Sequence, residues 1–308
     1  MNYNSLIHKL ERVESIASAS KLSRMLRQPY KYLFAIGFRE FAYKRHKRSK
    51  TVSTKTFFGE RMNILLPAST DIYLTGGKSH DSEIRLAKFL VRNLEEGDVF
   101  IDVGAHYGYF SRLSAHLMGN SGKVFAFEAS PQNFEILERN TSKRDTITVY
   151  NQAISDTQSE IAFYEFPNLY SEYSTMDIEQ FENEAWFDEF KPQAISIEAI
   201  TLDEFVSAQK ILPKVVKIDV EGAEYKVVKG FQTSLQANTS RSLIVIMEYL
   251  SHTRGNAPHM QSEKSLREWG FEPRIIDRSG DLQEVDDVPT YLEQGKMESD
   301  NIAFVKRS

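Results

Sequence analysis

Short apolar runs alternate with helically spaced apolar positions along most of this chain. Residues 98–102 (DVFID) form a β-branched, nearly unbroken apolar run, as in a strand buried on both faces. Residues 109–118 then place Phe110, Leu113 and Leu117 at helical spacing, and Gly119 can end that helix. Comparable runs predict strands at 123–128, 146–151, 214–219, 242–248, 271–276 and 301–305. Ser130 and Pro131 supply an N-cap and a first helical residue, with Phe134, Ile136 and Leu137 facing inward. Further helices are predicted at 222–229 and 263–269. Such alternation implies an α/β fold whose mostly parallel sheet carries helices on both faces.

Three stretches depart from this rhythm. Residues 1–50 read as helical and basic, divided at Pro29. Residues 51–75 look β-rich, with runs at 54–58, 62–66 and 72–74. Gly76-Gly77 then turns the chain, and Asp81 can cap a helix to about Asn93. Within 157–200, runs at 161–166 and 194–200 suggest a hairpin around an acidic, aromatic loop containing Tyr170, Tyr173, Trp186, Phe187 and Phe190. Thr201 to Glu204 is a capping box that opens the next helix. The expected organisation is a basic helical extension, 1–50, and one domain, 51–308, with an insertion at 157–200.

Composition narrows the functional classes. The 308 residues carry a net charge of −5, which argues against a dedicated nucleic-acid binder. Cysteine is absent, which excludes disulfides and thiolate metal sites. No apolar run reaches the roughly 18–20 residues of a spanning helix, and residues 1–19 lack the apolar core of a signal peptide. A cytoplasmic protein is expected. Residues 21–50 hold ten Lys and Arg and one acidic residue, whereas 157–204 hold twelve acidic residues and one basic one. The basic segment reads either as an outer helical layer with a solvated face or as a peripheral contact with anionic lipid at the inner face of a membrane. His116, His252 and His259 show no metal spacing and read as surface or loop residues.

Candidate chemistry gathers at the strand ends: Asp102, Glu128, Asn151, Asp219 and Glu248. In open α/β sheets these ends share one crevice, and clustered carboxylates repel one another at a cost in stability, which points to a functional site. The turn at 102–108 says which nucleotide fits. A dinucleotide fingerprint has glycine two residues after Gly104, but here that position is His106 and the next glycine is Gly108. No phosphate-binding loop motif occurs either. A nucleoside without phosphates, S-adenosylmethionine, fits best, and Glu128 is placed to accept from its ribose hydroxyls.

The segments DVGAHYGYFS (Asp102 to Ser111), VFAFE (ending at Glu128), NQAISD (Asn151 to Asp156), TLDEF (Thr201 to Phe205) and KIDVEGAE (Lys217 to Glu224) occur in that order. Together they resemble the FkbM family of S-adenosylmethionine-dependent methyltransferases, over about residues 80–305. The family usually has asparagine at the position of His106 and proline at that of Ala129. The resemblance implies a class I methyltransferase (Rossmann-like) fold with a seven-stranded sheet, one strand reversed. It also implies O-methylation of a hydroxyl on a saccharide or a polyketide; a catalytically silent binding module is the alternative of a different class. Asp102, Gly104, Ala105, His106, Gly108, Glu128, Ala153 and Asp156 are then the expected cofactor residues, with Ala153 and Asp156 near the adenine. Asp219 and Glu221 are the candidate bases, and Glu248 can orient the acceptor. These three carboxylates could also hold Mg²⁺, although metal-free chemistry is the favoured expectation. Tyr170, Tyr173 and Trp186 offer flat faces to a sugar, or else form a small core under a surface loop.

Overall fold

The computed structural model describes residues 3–178, 181, 186–238 and 243–306. Parts of the expected insertion (179–180 and 182–185) and the first residue of the 242–248 strand lie outside the described residues, as do the chain's two outermost residues at each end.

The chain opens with α1 (Tyr3–Ala17), α2 (Lys21–Arg27) and α3 (Pro29–Gly37). Pro29 sits in the first turn of α3, where its missing N–H leaves no helical bond unmade, and so separates α2 from α3. A π-helical turn (Phe38–Tyr43) and the short α4 (Lys44–His46) follow. β1 (Lys50–Lys55) and β2 (Arg61–Leu66) pair as an antiparallel hairpin.

Residues 72–74, expected as a strand, lie instead in helix α5 (Thr70–Thr75). Three apolar residues carry no period of their own. The local chemistry decides: the Thr70 hydroxyl donates to the Pro67 carbonyl at 2.7 Å, and Gly76 closes the helix with φ +82°. Helix α6 (Asp81–Asn93) spans the expected range, but His80 holds the N-cap position. The Asp81 carboxylate accepts from Arg85 Nε at 2.8 Å instead of capping.

Then come β3 (Val99–Val103), α7 (Tyr109–Met118), β4 (Lys123–Phe127), α8 (Pro131–Thr141), β5 (Ile147–Tyr150) and β6 (Ala153–Ile154). The insertion supplies β7 (Ser159–Glu165) and β8 (Gln193–Ile200), antiparallel as expected, and β6 pairs with β8 to make a separate three-stranded sheet. The remaining elements are α9 (Leu202–Gln209), β9 (Val215–Ile218), α10 (Glu224–Lys229), α11 (Gln232–Ala237), β10 (Ile244–Leu250), α12 (Ala257–Glu268), β11 (Phe271–Ile276), β12 (Leu282–Glu284), α13 (Val288–Gly295) and β13 (Ser299–Lys306).

The main sheet has the order β12-β11-β13-β10-β9-β3-β4-β5. From β10 to β5 all pairs are parallel, and β13 runs antiparallel between β10 and β11. These are the seven expected strands with one reversed, the class I methyltransferase arrangement. A three-residue eighth strand, β12, is added at the edge. Alternate residues of β3 feed opposite faces: Phe100 belongs to one buried cluster with Leu10, Phe89 and Leu113, while Ile101 and Val103 belong to another with Phe127, Val216 and Phe304.

Helix α1 joins the first of these cores through Leu6, Leu10 and Val13, and Lys88 Nζ reaches Glu14 at 2.7 Å. The basic extension therefore divides. Its first helix belongs to the core layer, whereas α2 has no buried residue and α3 only Ala35. Behind α6, Arg85 forms a two-pronged pair with the fully buried Asp300 of β13, tying the helix to the reversed strand.

Candidate active site

The carboxyl ends of β3, β4, β9 and β10 face a cavity of about 330 Å³. β3 and β9 are neighbours, and the chain crosses from one side of the sheet to the other between them, the usual position for a ligand crevice. Among the expected residues, Gly104, Ala105, His106, Glu128, Ala153, Tyr173, Asp219, Glu221 and Glu248 line it.

The turn after β3 is stitched to the end of β4. The N–H groups of Gly104 and Ala105 both donate to the Phe127 carbonyl, at 3.0 and 2.9 Å, and that of His106 donates to Glu128 Oε2 at 2.7 Å. Gly104 adopts φ +78°, and a Cβ there would lie 1.8 Å from the Asp219 carbonyl oxygen. Its missing side chain thus serves the contact between the ends of β3 and β9. Gly108 likewise yields its space to Leu137.

Asp102 lies behind the turn, 1% exposed, where it accepts from Ser111 Oγ at 2.5 Å and stands 3.7 Å from Lys217 Nζ. It orders the turn and does not line the cavity. Asn151 also works from behind, its amide donating to the carbonyls of Glu128 and Ala129.

His106 is the one residue of the turn other than glycine with a left-handed backbone (φ +50°). Its ring stacks on Tyr107 with centroids 3.7 Å apart, and Nε2 lies 3.2 Å from Ser171 Oγ. Burial and the nearby Lys78 ammonium push its pKa down to about 3, so the ring is neutral at ordinary pH.

Glu128 is buried and accepts from the Ser130 N–H (3.0 Å) and Asn133 Nδ2 (3.3 Å) at Oε1, in addition to His106 at Oε2. Each carboxylate oxygen has about two acceptor positions, so spare capacity remains on Oε2 alone. That leaves one oxygen, not both, free to accept from a further partner. Burial raises this carboxyl to about 7.

The cavity wall also holds an acidic cluster. Carboxylate oxygens of Asp219, Glu221 and Glu248 lie within 4.8 Å of one another. Burial would raise Asp219, but Lys217, 2.9 Å away, and Lys78 outweigh it and hold its carboxyl below the usual range. Burial and the negative neighbours Glu248 and Asp219 push Glu221 well above that range. Burial and Asp219 raise Glu248 to about 8. The cluster thus sets one lowered carboxyl, Asp219, against two raised ones, Glu221 and Glu248, as like charges at close range resist ionising together.

The turn carrying Glu221 is held from several sides. Glu221 has φ +51°, a strained conformation for a side-chain-bearing residue, and its carbonyl accepts from Thr175 Oγ1 at 2.7 Å. Glu224 Oε1 accepts from the N–H groups of Val220 and Gly222, both at 3.2 Å. On its other side Glu224 faces His259, 3.1 Å away and fully buried. This corrects the surface reading of His259: α12 begins six residues before the predicted helix and carries the histidine under the turn that holds Glu221.

Glu248 also affects stability. Its folded carboxyl titrates near 8 against an ordinary 4.5, so the folded state holds the proton more tightly. The resulting stabilisation is complete below pH 4.5 and is lost as pH rises through about 8. Urea unfolding should therefore show lower stability at pH 8.5 than at pH 5, and Glu248→Gln, which cannot ionise, should shrink that difference. An unchanged difference would assign the effect to other groups.

Three expected residues lie elsewhere. Asp156 pairs with Lys229 at 3.0 Å on the flank of the domain and does not line the cavity. The reason is the tight approach of Gly230, where a Cβ would meet the Ser155 carbonyl at 2.0 Å, which brings the end of α10 against residues 155–156. Tyr170 and Trp186 stack on each other (4.3 Å, 12°) in an aromatic cluster with Phe166, Phe181 and Phe190. They form the small core under the insertion, and only Tyr173 of the three faces the cavity. Sequence reasoning missed Lys78, which lines the cavity and pairs with Glu83, and Glu172, whose carboxyl burial raises to about 7. No spacing marks Lys78, whereas Glu172 lies inside the insertion already singled out.

Among the described residues, no helix is long and apolar enough to cross a membrane. Comparisons with known proteins return methyltransferases. The hexuronic acid methyltransferase AglP of Haloferax volcanii is 29% identical over 152 residues, which are 49% of this chain and 56% of that protein. A probable cobalt-precorrin-6B C(15)-methyltransferase of Saccharolobus solfataricus is 23% identical over 159 residues, 50% of this chain and 78% of that protein. The crystal structure of a methyltransferase FkbM from Methylobacillus flagellatus aligns with 77% of this chain and 52% of its own, at 12% identity and a TM-score of 0.44. Residues 102–276, more than half of the chain and the stretch that runs from the glycine turn through the acidic cluster, match the methyltransferase FkbM domain. The chain belongs to the FkbM family of S-adenosylmethionine-dependent methyltransferases.

Proposed function

We propose that this protein methylates a hydroxyl oxygen of a saccharide, using S-adenosylmethionine. The observation that carries the reading is the cluster of Asp219, Glu221 and Glu248 lining the same cavity as His106, Glu128 and Ala153. When bound, S-adenosylmethionine supplies an electrophilic methyl group on a positively charged sulfur. The residues present fit it. Phe127, Ala153, Ile154 and Phe163 offer an apolar wall to a base, and Glu128 Oε2 has room for a ribose hydroxyl. The ionised Asp219 favours the cationic end.

Glu221 and Glu248 then serve the acceptor. Protonated, each can donate to a sugar oxygen; ionised, each can take the proton of the attacking hydroxyl. A base that titrates near the working pH is the effective kind, and Glu248 at about 8 is closer to that than Asp219. Tyr173 presents an aromatic wall suited to sugar C–H groups. The saccharide class is supported by the name of the hexuronic acid methyltransferase relative, which matches this chain over about half of each protein's length.

Calorimetry with S-adenosylmethionine and S-adenosylhomocysteine tests the donor, and absence of heat from both would overturn the reading. Glu128→Ala should weaken cofactor binding by about 10- to 100-fold, the worth of a hydrogen bond to a charged group. An unchanged affinity would remove Glu128 from the ribose contact. Transfer of labelled methyl to uronic or neutral sugars, followed by identification of the ether formed, tests the acceptor.

A further inference from the structure

Exposed apolar side chains on this protein are concentrated in one place. Of nine large hydrophobic residues exposed among the described residues, six lie between residues 22 and 41. Tyr30 is 89% exposed, Phe41 80% and Leu26 72%. Leu22 and Leu26 stand four residues apart on α2, and Tyr30 and Phe34 four apart on α3, so each pair shares a helix face. The same segment carries the chain's main basic run, including the exposed Lys21, Arg27, Arg39, Arg45 and Arg48. Its one acid, Glu40, is already paired with Lys44.

We propose that the face formed by α2, α3 and the π-helical turn lies on the surface of an anionic lipid bilayer and holds the protein there peripherally. Apolar side chains ringed by long basic ones suit the boundary between headgroups and acyl chains. The rings and Leu side chains enter the boundary, and the Lys and Arg heads stay at the phosphate level. The helices are too short to span a bilayer, as surface docking requires. Two copies of this face would set the same bases against one another, since a two-fold contact pairs a patch with itself. Protein interfaces also exclude lysine from their centres. Anionic lipid is the occupant whose charge complements the patch.

The patch is mechanically joined to the cavity. Lys47 reaches Glu189 of the insertion at 2.6 Å and lies 4.6 Å from the Phe190 ring centroid, and Phe34 contacts Tyr73 on α5, the helix whose Ile72 lines the cavity. An acceptor presented from the bilayer would therefore meet the cavity's own cover. That last point rests on the function proposed above, whereas the docking does not.

Co-sedimentation of the full chain with vesicles tests the docking without any assay of methyl transfer. Vesicles containing phosphatidylglycerol should pellet the protein about tenfold or more above pure phosphatidylcholine, and high salt should release it. Leu26→Glu with Phe41→Glu, and separately Arg39→Glu with Arg45→Glu, should each abolish pelleting. These side chains are exposed, so circular dichroism melts should remain those of the wild type. Equal pelleting with neutral vesicles, or pelleting that either variant leaves unchanged, would overturn the proposal. So would a chain that binds no vesicle but self-associates by light scattering and becomes monomeric when Leu26 and Phe41 are changed.

Discussion

Glu221→Gln should lower kcat by about 10²–10⁴, the usual contribution of a positioned acid–base group, while calorimetric affinity for S-adenosylmethionine stays nearly unchanged. The substitution keeps the shape of the side chain and its capacity to donate a hydrogen bond. What it removes is the ability to take a proton. The backbone argues that this carboxyl is placed deliberately: φ is +51°, a conformation that costs about 1–3 kcal/mol outside glycine, and Thr175 and Glu224 both brace the turn that enforces it. In the wild type, kcat should climb with pH as the raised carboxyls of Glu221 and Glu248 lose their protons, and the variant should show a flatter limb. Full turnover in Glu221→Gln would pass the base role to Glu248. Parallel loss of cofactor affinity would show instead that the turn had collapsed.

Gly104→Ala should unfold the protein more readily than any cavity-side substitution. A Cβ at this position would stand 1.8 Å from a main-chain oxygen, that of Asp219, and the residue's φ of +78° is itself unfavourable for alanine. Neither atom belongs to a flexible side chain, so the strands must part. Backbone strain and overpacking together predict a loss of about 2–6 kcal/mol in urea unfolding. Gly59→Ala is the control. It shares the positive φ (+95°) but meets nothing within 4 Å, so it should cost about 1–3 kcal/mol at most. Equal losses at the two sites would mean that the β3–β9 approach is not what requires Gly104. The surviving folded fraction of Gly104→Ala should also turn over poorly, because relief of the clash displaces Asp219.

The strand, turn and helix around Gly104 were legible because each is a local matter: an apolar run, two glycines, a helical period. The meeting of Asp219, Glu221 and Glu248 was also legible, since parallel strands deliver their ends to one edge whatever lies between them in sequence. Partner choice was less so. Asp156 could have turned toward the cavity or the flank, and the packing of Gly230 on Ser155, 75 residues away in the chain, sends it to the flank. Tyr170 and Trp186 have the chemistry of a sugar platform, but their faces are spent on each other. His259 carries no motif, and its burial depends on where α12 begins. Lys78 follows a pair of glycines with nothing in its spacing to mark it; only the folded chain brings it to Glu83 and the cavity.

The insertion reaches two turns of the cavity wall through neighbouring residues. Ser171 meets His106 and Tyr107 in the turn after β3, while Thr175, four residues later, holds the carbonyl of Glu221. One short segment is thus fastened to both turns, and displacing it breaks contacts to each at once. Under the function proposed above, donor and sugar would then not come and go independently: binding would favour a compulsory order of arrival, and departure of the spent donor would be tied to release of the methylated product.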